Sequence, residues 1–132
     1  MPRSKDFLSK VFLKVERIGS VDEKLELYID SIFPGKVAKV LEILDKGITK
    51  CIFLPSNREI WVVTGKNDEY MIYPKIFCSC YDFYKNACLL KKRPFCKHLL
   101  AQVILEAFRV YDVLELQDEE FQSFLKELSM NL

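Results

Sequence analysis

The stretch that decides how this chain folds is FCSCYDFYKNACLLKKRPFCKHLLA, residues 77–101. It holds four of the five cysteines and the only histidine. The pattern is Cys78-x-Cys80, fifteen intervening residues, then Cys96-x-His98. Three thiolates and one imidazole satisfy a tetrahedral zinc ion and leave no position open, which is the chemistry of a structural site. Residues i and i+2 of a helix point to nearly opposite sides, so Cys96 must stand just before a helix and His98 in its first turn. Pro94 favours such an extended entry. Cys78 and Cys80, two residues apart on an extended strand end, share one side.

Two other readings compete for these residues. Cysteines are often buried small hydrophobes, and a thiol beside an imidazole can form a nucleophilic dyad. A dyad would need His98 as its base, and no second histidine exists to hold the metal instead. Paired ligand types at this spacing, with the sole histidine among them, favour metal. Cys88, midway in the spacer, reads as a packed or partly exposed thiol, and Cys51 alternates with apolar neighbours and reads as core.

Upstream, Phe7, Leu8, Val11, Phe12, Val15 and Ile18 recur at helical spacing over residues 6–18. Gly19 and Ser20 end that helix, and Ser20 or Asp22 can cap the next, whose stripe is Leu25, Tyr28, Ile29 and Ile32. Pro34-Gly35 breaks the chain before a third helix with Val37, Val40, Leu41 and Leu44, which stops at Gly47. The period then changes. ITKCIFL (48–54) and REIWVVTG (58–65) flank Pro55-Ser56-Asn57 as a hairpin, and EYMIYPKIF (69–77) follows the turn Lys66-Asn67-Asp68. Downstream, residues 98–110 are apolar nearly all round, which predicts a buried helix. An amphipathic helix near 117–129 carries Phe121, Phe124, Leu125 and Leu128.

The fold class expected is therefore α+β in one domain, residues 1–132. Helices occupy 1–47, a three-stranded antiparallel sheet and a zinc-bound strand-to-helix finger occupy 48–110, and a C-terminal helix closes the chain over 111–132. Half of the residues are hydrophobic and 30% are charged, a globular balance rather than a disordered one. The odd cysteine count, with an N-terminus lacking a signal-like apolar run, argues for a reduced, intracellular protein. No apolar run is long enough to span a membrane.

The motif C-x-C, a variable spacer, then C-x-H-x-x-A resembles the SWIM zinc finger, matched here by Cys78, Cys80, Cys96, His98 and Ala101. The likeness continues through AKVLEILDKG and the hairpin ITKCIFLPSNREIWVVTG, so the chain looks like the small SWIM-domain subunit of the Shu complex, the zinc finger SWIM domain-containing protein 7 family. The resemblance implies a bound Zn2+ and a role in homologous recombination and DNA repair. It also implies a heteromeric partner, a RecA-like paralogue, or a RadA-type protein for an archaeal relative. Gly65-Lys66 lacks the upstream glycine and the Ser/Thr of a phosphate-binding loop, so ATP hydrolysis is assigned to the partner and none to this chain.

Two surfaces follow as candidates. Lys85, Lys91, Lys92, Arg93 and Lys97, with no acidic residue between 85 and 97, interleave with Tyr81, Phe83, Tyr84 and Phe95. Cations for phosphate and rings for bases are what a single-stranded DNA binder uses. A charge run is also what a solvated loop looks like, and the net charge of +1 gives no global attraction to nucleic acid. The competing surface is Phe121 and Phe124 beside Asp118, Glu119 and Glu120, an acidic aromatic edge suited to a protein partner. Partner docking is the primary expectation and DNA contact the secondary one.

Overall fold

The structure is a computed structural model and describes residues 4–64 and 68–130. Three helices lead, α1 (Ser4–Ile18), α2 (Glu23–Ile32) and α3 (Val37–Lys46). Asp22 caps α2, its carboxylate accepting from the Leu25 N–H at 3.1 Å, while Ser20 donates to the same carboxylate. Gly47, at φ 87°, turns the chain from α3 into the sheet, a left-handed conformation that glycine adopts without a Cβ clash.

Strands β1 (Ile48–Leu54) and β2 (Arg58–Thr64) form the expected hairpin, with Cys51 opposite Ile60. The expected third strand is two. Strand β3 (Glu69–Tyr73) turns at Pro74–Ile76 and returns as the short β4 (Phe77–Cys78), antiparallel, with Ile72 opposite Cys78. Pro74 cannot continue a ladder, and Lys75 sits at φ 65°, which together reverse the chain. The turn expected at Lys66-Asn67-Asp68 and the Gly65-Lys66 pair fall largely outside the described residues, at 65–67.

A helical turn α4 (Tyr81–Phe83) and a π-type turn over Tyr84–Leu89 fill the spacer, then α5 (Lys97–Phe108) follows. The C-terminal part expected as one helix is a strand and a helix. Strand β5 (Asp112–Gln117) lies parallel to β1, and α6 (Phe121–Met130) comes after it. The sheet thus has five strands rather than three, in the order β4-β3-β2-β1-β5.

Both faces of the sheet are covered, which is why Ile60, Trp61, Val62 and Val63 are all buried despite strand alternation. Trp61, Val63, Ile48 and Ile72 face α1, α3 and α5 in the main core, where Leu8, Val11, Val40, Leu99 and Val103 meet them. Cys51, Phe53, Ile60 and Val62 face α6 through Leu128 in a smaller cluster. Helix α5 is buried on nearly every side, as its composition requires. No helix among the described residues is long and apolar enough to cross a membrane.

Candidate metal centre

The fold brings the four candidate ligand residues together from three elements. Cys78 ends β4, Cys80 is the N-cap of α4, Cys96 is the N-cap of α5, and His98 lies in the first turn of α5. Both caps are extended at the backbone, with ψ of 156° at Cys80 and 176° at Cys96. Each cap places its sulfur over free helix N–H groups. Phe83 N–H donates to Cys80 Sγ at 3.3 Å, and Leu99 N–H donates to Cys96 Sγ at 3.5 Å. Those bonds favour thiolate over thiol, as helix N-termini do generally.

One donor atom from each of the four residues lies within 4.8 Å of all the others, and all four residues are buried. His98 turns Nδ1 toward the sulfurs, 3.8 Å from Cys78 Sγ and 4.0 Å from Cys96 Sγ. A tetrahedral zinc site with ordinary bond lengths separates its sulfur and nitrogen donors by about 3.6 Å, so the present spacing fits with slight contraction. Cys78, Cys80, Cys96 and His98 would therefore hold zinc as a closed four-ligand set, which fixes local structure and leaves no position for water or substrate.

The electrostatics of the cluster point the same way. The Cys80 thiol is held well below the usual range, chiefly by hydrogen bonds from Cys78 and Cys96, against the cost of its burial. The Cys78 thiol is pushed far up by its hydrogen bond to Cys80 and then that to Cys96, and Cys96 is pushed up mainly by burial. Three buried sulfurs this close cannot all carry charge without a cation to compensate it. A divalent ion would supply that compensation.

The surroundings fix the ligands. Tyr70 lies over the His98 ring at 4.6 Å between centroids. Phe95, immediately before Cys96, stacks on Phe7 at 5.2 Å and meets Phe33 edge-on at 5.0 Å. These contacts join sites far apart in sequence, so no local pattern announces Tyr70, Phe7 or Phe33. Cys88 is exposed and outside the cluster, and Cys51 is buried in the sheet.

The basic spacer is more closed than a loop. Arg93 pairs with Asp82 and lies 4.8 Å above the Phe33 ring. Asn86 donates to the other Asp82 oxygen at 2.7 Å, and its carbonyl accepts from Lys92 N–H at 2.7 Å. Phe83 and Phe95 are buried, whereas Tyr81, Tyr84, Lys85, Lys91 and Lys92 face solvent. Lys97 is half-buried beside His98, away from that exposed group. At the other end, Phe121 and Phe124 are each half-buried against Phe53, edge-on at 5.0 and 5.3 Å.

A zinc finger SWIM domain-containing protein 7 homolog from Dictyostelium discoideum is 32% identical over 117 residues, 86% of this chain and 75% of that protein. The chain belongs to the zinc finger SWIM domain-containing protein 7 family. The mouse and human proteins of that name are 24% and 23% identical over 92% and 91% of this chain, covering 82% and 87% of their own length. No family profile matches the chain, and no solved structure does.

Proposed function

We propose that this SWIM-family protein is a zinc-stabilised, non-catalytic adaptor that binds a RecA- or RadA-like paralogue and supports homologous recombination and DNA repair. The observation that carries the reading is the closed Cys78, Cys80, Cys96 and His98 cluster within a chain whose family likeness runs almost end to end. A saturated zinc cannot activate water, so the metal's role is to pin β4, α4 and α5 together. The partner is assigned to the α6 end, where Glu119 and Glu120 are exposed beside Phe121 and Phe124.

The test is co-purification of the tagged, zinc-loaded chain with RecA-like paralogues from the same organism, followed by size-exclusion chromatography of the reconstituted pair. Stoichiometric co-elution is expected. Separate elution from every such paralogue would overturn the reading.

A second reading, direct contact with single-stranded DNA through the spacer, draws on one arrangement. Tyr81 and Tyr84 are exposed with rings 6.4 Å apart, beside exposed Lys85, Lys91 and Lys92. Neutralising the three lysines should then weaken binding across sequences.

A further inference from the structure

A cleft of about 290 Å³ opens on the side of His98 and is bounded by Lys39, Glu42, Lys46, Thr64, Tyr70 and Lys97, with Ile43 beneath. Its charge is unbalanced, three lysines to one carboxylate. Three basic side chains of the fold are paired, Lys50 with Glu59, Lys75 with Glu106 and Arg93 with Asp82. Lys39, Lys46 and Lys97 make no ion pair among the described residues. Glu42 stands three residues from Lys39 and four from Lys46, yet neither lysine closes onto it.

The cleft's inner wall adds a second, independent feature. His98 is 5% exposed, its Nδ1 faces the sulfurs, and its ring lines the cleft. A histidine that ligates through Nδ1 carries its proton on Nε2 and donates it to an oxygen. The cleft thus combines the His98 imidazole at its inner wall, the Thr64 hydroxyl at its rim and ammonium groups around it, a set of donors for an oxyanion.

We propose that this cleft binds backbone phosphate of single-stranded nucleic acid, with Lys39, Lys46 and Lys97 as the cations and His98 Nε2–H as the inner donor. Lys39 and Lys46 are seven residues apart, roughly 10.5 Å along α3, so their charges spread over more than one phosphate of a chain. Both are exposed rather than walled in, which suits a passing strand better than a captured free phosphate. The surface is separate from the Tyr81–Lys92 turn and does not depend on the adaptor reading.

Fluorescence anisotropy of a labelled oligothymidylate with the zinc-loaded full chain tests this. The variant K39Q/K46Q should weaken binding about tenfold at low salt and flatten the dependence of log affinity on log salt by about 1.4. Glu42→Gln should tighten binding. These side chains are exposed, so zinc content and melting temperature should stay at wild-type values. Nitrogen-15 spectra of the wild type should show the His98 Nε2 resonance shifting as the oligonucleotide is added. Unchanged affinity in K39Q/K46Q, loss only when Lys85, Lys91 and Lys92 are neutralised, or competition by polyglutamate equal to that by unlabelled oligothymidylate would each overturn the proposal.

Discussion

The ring of Phe121 meets the ring of Phe53 edge-on, 5.0 Å between centroids, and the guanidinium of Arg58 caps the other side at 4.0 Å. Helix α6 is thereby fastened to the turn end of the β1–β2 hairpin, where Phe53 and Arg58 face each other. Half of each α6 phenylalanine is structural, so a partner-binding test that removes both is confounded by unfolding.

Phe121→Ala should cost about 2 kcal/mol, below the 3–5 typical of a fully buried phenylalanine because Phe121 is only half-buried. Chemical denaturation should show the loss with zinc still bound. Full wild-type stability would mean that α6 is not docked as described. A partner contact at this end is better probed by Glu119→Lys and Glu120→Lys, which touch no core residue.

Arg93 links the spacer to the end of α2 through Asp82 and Phe33. A planar guanidinium can pair with a carboxylate while lying flat on an aromatic ring, and an ammonium cannot do both. Arg93→Lys is therefore expected to lose about 1 kcal/mol, most of what Arg93→Ala loses. Equal stability of wild type and Arg93→Lys in thermal melts would contradict this.

The clustering of Cys78, Cys80, Cys96 and His98 was legible because all four residues announce themselves by type and spacing within one short stretch. The first three helices and the first hairpin were legible because their apolar periods match their burial. Strand β5 was hidden: it is an edge strand with Val113 and Leu114 exposed, and its apolar–polar alternation runs only from Leu114 to Gln117, too short to distinguish it from the start of a helix. Its pairing to β1 joins residues far apart in sequence, Thr49 with Asp112, and no local pattern encodes it. The reversal after β3 carried a signal in Pro74 that the apolar run around it obscured. The closure of the spacer depends on Asp82, which precedes the basic run and breaks its apparent freedom from acid.

Metal analysis should find one zinc per chain, and Cys88→Ser should leave that number unchanged because Cys88 is exposed and outside the cluster. His98→Ala should lose the metal and unfold β4, α4 and α5. Zinc in small modules contributes on the order of 10 kcal/mol to folding, comparable with the whole stability of a domain. Circular dichroism should retain some helicity from α1 to α3, which supply no ligand. A wild-type melting temperature in His98→Ala would remove the structural role assigned to the site.

Zinc uptake should also release protons in a number the cluster dictates. Zinc takes thiolates only. In the metal-free cluster, Cys78 and Cys96 have raised pKa values, the first through its hydrogen bond to Cys80 and the second through burial, and so hold their protons. Cys80 is lowered, chiefly by the hydrogen bond from Cys78, so it is the thiol expected to ionise first. Binding at about pH 7, read by calorimetry in buffers of different ionisation enthalpy, should therefore release about two protons from the cysteines rather than three. The sign for affinity follows: protons compete for Cys78 and Cys96, so apparent zinc affinity should fall as the pH is lowered. Cys80→Ser should remove the anchoring thiolate and weaken binding steeply while leaving two thiols to titrate. A wild-type release of three protons would show that Cys80 is a thiol before the metal arrives, and that the hydrogen-bonded cluster forms only with the metal.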